Sequence, residues 1–139
     1  MTNTDTILVK RLKPGQELFS EIDALIAEND IKAGVILCLV GSLTKVNLRY
    51  ANNEESTTLS GHFEIVSQTG VVSSAGSHIH LAVADNKGTT YGGHLVPGSF
   101  VYTTVEMVVM KLPDWDFQRI PCNLSGYEEL SPVKLSTAK

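Results

Sequence analysis

Cysteine is scarce in this chain. Cys38 and Cys122 are the only two in 139 residues, and no paired spacing joins them, which argues against a disulfide scaffold and against a cysteine zinc knuckle. Long apolar runs are missing as well. The longest, Val35 to Val40, has the length of a buried strand and falls far short of the roughly 18 residues of a membrane helix. The first residues, Met1 to Asp5, are polar and carry no basic segment followed by an apolar one, so no secretory signal is read. A basic surplus is absent too: 11 Lys+Arg stand against 15 Asp+Glu, a net charge of −4. Proteins that live on phosphate contacts normally carry the opposite balance. The one basic cluster, Lys10, Arg11 and Lys13, reads as the exposed end of a strand. Also missing are G-x-S-x-G, a phosphate-cradling glycine loop and a Cys/His nucleophile pair.

What is present suits a single folded domain over residues 1–139. Hydrophobic residues make up 42% and charged residues 19%, enough for a core and too little charge for disorder. The expectation is a soluble, cytoplasmic protein with its core over about residues 6–117 and a surface tail over 121–139.

Ile7 to Leu12 reads as a first strand, ended by Pro14-Gly15. Leu18, Phe19, Ile22, Leu25 and Ile26 then mark one apolar helical face. Glu17 suits the helix N-terminus, and Asn29-Asp30 suits its end. From Gly34 onward the pattern is that of strands. Val35 to Val40 is apolar on both faces and predicts a central strand covered on both sides. Gly41-Ser42 marks a bend or bulge, and Asn52 to Ser56 a turn. Gln68-Thr69-Gly70 reads as a hairpin tip within Phe63 to Ser74. Further strands follow over Ser77 to Ala84, Thr89 to Val96 and Phe100 to Leu112. A short edge strand is read at Trp115 to Ile120. One helix and about seven strands describe an α+β fold, mainly an antiparallel sheet.

Three of the four histidines lie between residues 78 and 94: Ser77-His78-Ile79-His80 and Gly92-Gly93-His94-Leu95. Residues i and i+2 of a strand share a face, so His78 and His80 are neighbours. Asp85-Asn86-Lys87-Gly88 suits a type I turn with glycine in the left-handed position. That turn pairs Asp85 with Thr89 and therefore His80 with His94. Ile79, Leu81, Val83, Tyr91 and Leu95 then form the core face, and the three imidazoles share the other with small residues. Three neutral imidazoles and one open position are the ligand set of a catalytic-type zinc site. His62 reads as a surface or interface residue. Glu106 places a carboxylate inside the apolar run Val105 to Met110. It is an edge or solvent-facing residue, a partner for Arg49 across the sheet, or a general base or outer-shell group near the metal with its pKa raised by burial. Cys38 reads as core filler, and Cys122 has no visible partner.

Gly61-His62-Phe63-Glu64-Ile65-Val66-Ser67-Gln68-Thr69-Gly70, the His78-x-His80 pair, Asp85 to Gly88, Gly92-Gly93-His94-Leu95, Gly98 and Gly41-Ser42-Leu43 together resemble the plant and prokaryote conserved (PPC) domain. The resemblance spans roughly Thr6 to Phe117. It implies an α+β fold, a homotrimer, and zinc (or another divalent metal) on His78, His80 and His94, as in prokaryotic stand-alone members. Plant members carry AT-hooks; this chain has no Arg-Gly-Arg-Pro hook, so a DNA-associated regulatory role would rest on the family label alone. The fold also looks like that of acetolactate decarboxylase, a fold-level analogy. Three functional expectations follow: a trimeric metal-binding protein that takes a small anionic ligand, a zinc-dependent lyase or hydrolase acting on a small carbonyl or carboxylate substrate, or a DNA-associated regulatory protein.

Overall fold

The structure, a computed structural model, describes residues 5–136. Nine elements follow in order: β1 (Ile7–Leu12), α1 (Leu18–Glu28), β2 (Gly34–Arg49), β3 (Thr57–Val72), β4 (His78–Ala84), β5 (Thr90–Leu95), β6 (Phe100–Lys111), β7 (Trp115–Pro121) and β8 (Glu128–Lys134). The first six strands form one antiparallel sheet in the order β1-β6-β2-β3-β4-β5. β2 is long enough to take two partners along one edge: β6 at its start, then β5 through Leu48↔Leu95 and Arg49↔His94. That second pairing curls β2, β3, β4 and β5 into a closed loop of sheet. The fold is α+β.

Helix α1 begins where Glu17 caps it. The carboxylate accepts hydrogen bonds from the amides of Phe19 and Ser20, both at 2.9 Å, which satisfies donors that a helix start leaves without partners. The same carboxylate accepts from the amides of Gly98 and Ser99 at 3.3 Å. One side chain thus ties the helix to the turn that leads into β6. Leu18, Ile22, Leu25 and Ile26 are buried in a single cluster with Leu43, Val46, Ile79, Leu81, Val83, Val105 and Met107. One face of the sheet is therefore core.

The other face departs from expectation. Within the protomer β2 is not covered on both sides. Ile36 and Leu39 are buried, but Leu37 and Val40 are each 49% exposed. Val9, Val66 and Tyr102 extend this outward apolar surface across β1, β3 and β6. The continuous apolar run at 35–40 thus leaves two of its six side chains half-exposed on the outer face. Gln68-Thr69-Gly70 is also not a hairpin tip. β3 runs through it, with Gln68 opposite Leu81 and Gly70 opposite Ile79. The polar composition there reflects Gln68 Nε2, which donates to the Ile36 carbonyl across the sheet at 2.9 Å.

Strand count rises to eight because the C-terminal segment does not simply trail over the surface. β7 and β8 pair over their full lengths, from Trp115↔Lys134 to Pro121↔Glu128. The bend at Gly41-Ser42 is present as a register shift between Gly41 and Leu43 against β6. A Cβ at Gly41 would lie 1.9 Å from the Thr104 carbonyl oxygen, so only glycine permits this approach. Cys38 is half-buried beside a second register shift and stands outside the core cluster. No helix among the described residues is long and apolar enough to cross a membrane.

Candidate metal centre

The turn after β4 sets the register of the site. The Asp85 amide donates to the Thr89 carbonyl and the Gly88 amide to the Asp85 carbonyl, both at 2.9 Å. Gly88 takes φ +80°, the left-handed conformation that glycine adopts without strain. Asp85 Oδ1 also accepts from the amides of Lys87 and Thr89. The three-residue loop holds, and His80 pairs with His94.

Ile79, Leu81, Val83 and Leu95 are buried on one face, with Tyr91 packed against them. The three histidines project from the other. His78 Nε2 and His80 Nε2 lie 3.2 Å apart, and one ring nitrogen from each of His78, His80 and His94 lies within 4.8 Å of the others. Ring centroids are separated by 4.8 Å (His78–His80), 5.3 Å (His78–His94) and 5.9 Å (His80–His94).

Nitrogens bound tetrahedrally at about 2.0–2.1 Å stand about 3.3–3.4 Å from one another. The His78–His80 distance is close to that, and the other ring nitrogens, within 4.8 Å, stand at most about 1.5 Å too far apart. Burial is the main cause that lowers the pKa of both His78 and His94 below the usual imidazole value. Neighbouring charges add to it: for His78 chiefly His80 and Arg119, for His94 chiefly Arg49. Both effects favour the neutral imidazole that a metal requires. The donor set fits a zinc-type ion.

Closure of β5 onto β2 holds His94 in place. A Cβ on Gly93 would stand 2.8 Å from the Arg49 carbonyl oxygen, so glycine admits the approach that sets Arg49 beside His94. Gly92 has nothing nearer than 3.5 Å, and close approach explains only the second glycine of the pair.

Two depressions flank the imidazoles. One, lined by Val35, Leu37, Thr69, Val71, His78 and His80, opens on the outward apolar face. The other is a polar cleft of about 510 Å³, whose walls include Arg49, Ser77, His78, His94, Arg119 and Glu129. Sequence reasoning missed this second wall. Arg119, Tyr127, Glu128 and Glu129 come from the β7–β8 hairpin, and no local pattern announces that the hairpin reaches the histidines.

Glu106 lies elsewhere. It is exposed on β6, in register with Arg11 on β1 and Val40 on β2, and β2 and β3 stand between β6 and β4 in the sheet. It is neither buried nor beside the histidines of its own chain. Arg49 is not its partner either, since Arg49 stands in register with His94. The carboxylate whose charge reaches His78 is Glu129. His62 is exposed on β3 and packs on Tyr102 with ring centroids 4.4 Å apart. Cys122 begins the turn of the β7–β8 hairpin, where bonds from Ser125 lower its thiol pKa.

The sequence profile of the Plants and Prokaryotes Conserved (PCC) domain, also abbreviated PPC, matches residues 1–113. The chain belongs to this family. A hypothetical protein from Salmonella enterica shares 44% identity, with a TM-score of 0.90 over 96% of this chain and 99% of that one. Two more distant structures share the fold. One, from Bacteroides thetaiotaomicron, carries a provisional DNA-binding name (21% identity, TM-score 0.82, 93% and 94% of the two chains). The other is a metal-containing protein from Archaeoglobus fulgidus (24% identity, TM-score 0.79, 94% and 96%). Among curated relatives, the bifunctional protein GlmU of Synechococcus sp. strain JA-3-3Ab is 41% identical over 128 residues, 92% of this chain and 21% of that protein. The chain spans about a fifth of the length of the curated relatives it matches.

Proposed function

We propose that the protein is a homotrimeric, zinc-binding PCC-domain protein. In this reading His78, His80 and His94 hold one divalent ion and leave a position open for a small carbonyl- or carboxylate-bearing ligand. The convergence of three imidazoles on one face, within 4.8 Å of each other, carries the reading. When bound, zinc supplies Lewis acidity to the oxygen of a carbonyl or of water. The chain's own contribution is to keep the imidazoles neutral and to wall the ligand with the polar cleft. The metal-containing neighbour from Archaeoglobus fulgidus supports a metal. The outward apolar face formed by Leu37, Val40, Val66 and Tyr102 supports assembly, because exposed apolar patches of this kind mark interaction surfaces.

A lyase or hydrolase would add a proton-moving group, and the carboxylate facing His78 is Glu129 rather than Glu106. A DNA-associated role has thin support by comparison. Lys10 is held by Glu21 at 3.0 Å, and Arg11 Nε donates to Thr104 at 3.1 Å, so two of the three residues of the one basic cluster are engaged within the fold.

The test is metal content by mass spectrometry after zinc loading and exhaustive dialysis. Wild type should retain about one zinc per chain, His80→Ala should lose most of it, and His62→Ala should match wild type. Equal retention by wild type and His80→Ala would refute the reading.

A further inference from the structure

Two guanidinium groups approach the histidines from different parts of the chain. Arg49 ends β2 in register with His94, and its Nη1 donates once, to the Asn53 carbonyl at 3.2 Å. Arg119 comes from β7 and lines the same cleft as His78. Among the described residues no hydrogen bond or ion pair engages its guanidinium. Two carboxylates share that cleft, Glu128 and Glu129, yet neither pairs with either arginine. Glu129 instead accepts from the Ser125 hydroxyl of its own hairpin turn at 3.3 Å.

Both arginines are half-buried, line one cleft and form no ion pair among the described residues, and their planar arrays of N–H donors match an oxyanion. A volume of about 510 Å³ falls in the range of small-molecule sites, roughly 300–1,000 Å³. We infer that Arg49 and Arg119 form an oxyanion subsite beside the histidine centre, which takes the carboxylate or phosphate of a small ligand. This deepens the metal-site reading and rests on it for the ligand's other end. Arg119 belongs to a hairpin that lies beyond the residues 1–113 matched by the family profile. The hairpin brings Arg119 to the cleft that His78 of β4 and His94 of β5 also line.

The experiment is isothermal titration of the zinc-loaded protein with pyruvate and, separately, with methyl phosphate. Wild type is compared with Arg119→Gln and Arg119→Lys, and zinc content is measured on every sample. At least one probe should bind wild type; Arg119→Gln should weaken it about tenfold or more, the scale of a charged hydrogen-bonded contact. Arg119→Lys should fall between, since charge survives and the fork is lost. Zinc content at saturating zinc and pH 8, where His78 is neutral with or without Arg119, should not change. The preferred probe tells carboxylate from phosphate. No binding of either probe, or equal binding by wild type and Arg119→Gln, overturns the subsite. If wild type retains no zinc, the histidine reading fails separately, and the same titration of metal-free protein decides. A tenfold difference there keeps the arginine subsite, and equal or absent binding removes it.

Discussion

Replacing Gly93 by alanine should damage the protein and its histidine site together, while the same change at Gly92 should do neither. A Cβ on Gly93 would meet the Arg49 carbonyl oxygen at 2.8 Å and the Leu48 Cβ at 3.3 Å. An ordinary contact starts near 3.4 Å, so β5 and β2 must part by about half an ångström. Both obstacles lie on the β2 backbone or next to it and cannot rotate away. Overpacking of this kind costs about 1–3 kcal/mol, offset by about 0.4–1 kcal/mol from the reduced entropy of the unfolded chain. At about 2–4 °C per kcal/mol for a domain near this size, the melting temperature should drop by several degrees. Because Arg49↔His94 is one of the two pairs that close the sheet, the same parting displaces His94. Metal distances tolerate only about 0.2 Å, and disturbed ligand orientation costs about 10–100-fold in affinity. Gly92→Ala meets nothing closer than 3.5 Å and should melt at or slightly above wild type with zinc affinity intact. Thermal melts of the metal-free proteins and competitive zinc titration read both effects. Equal behaviour of the two variants would refute the claim that the β2–β5 closure positions His94.

Two more predictions concern charge and assembly. His78 and His94 have pKa values lowered in the folded chain from 6.5, so just below that pH the unfolded chain binds more protons. Stability of the metal-free protein should therefore fall as pH drops through about 6.5, until the lowered native values are passed. Urea midpoints at pH 7.5 and 5.5 should show this for wild type and much less for His78→Gln/His94→Gln; identical pH dependence would contradict the assigned cause. Light scattering should give about three times 15.1 kDa, and Leu37→Glu/Val40→Glu should shift it to a smaller species. A monodisperse wild-type monomer at micromolar concentration would sink the trimer.

Much of the fold was legible because its signals are local. Apolar spacing gave α1, and Glu17 at the helix start proved to be its cap. The turn chemistry of Asp85 to Gly88 implied a register that placed His94 against His80, and that pairing is present. The misreadings have a common cause: composition alone cannot say what lies across a sheet. Gln68 and Gly70 look like turn residues, but one reaches over to the Ile36 carbonyl and the other sits where Ile79 packs close. The run at 35–40 looks doubly buried, but Leu37 and Val40 are half-exposed in the chain, and composition does not distinguish an apolar face that is covered from one that is not. Glu106 was read by its apolar neighbours, which alternate to the inner face while it points outward. The C-terminal hairpin was hardest to see. Its first strand was read at Trp115 to Ile120 and is present as β7, but Leu124 and Tyr127 are exposed and β8 is mostly exposed, so no amphipathic pattern marks the second strand.

Eight strands and a helix can be shared widely while the chemistry they support differs, because a fold positions sites without choosing ligands. In this chain the two tasks fall to different segments. β4, its turn and β5 fix the histidines, all within the stretch that matches the family profile. The groups that would select a ligand are split: Arg49 lies at the end of the long second strand, and Arg119, Tyr127 and Glu129 lie on a hairpin beyond that stretch. The hairpin is stitched to the core by few bonds. Phe117 is held at both backbone groups: its amide donates to the Lys32 carbonyl at 2.9 Å, and its carbonyl accepts from the buried Ser73 hydroxyl, also at 2.9 Å. No hairpin residue belongs to the buried core cluster, so the hairpin acts on the site through its charges: Arg119 lowers the pKa of His78 and Glu129 raises it.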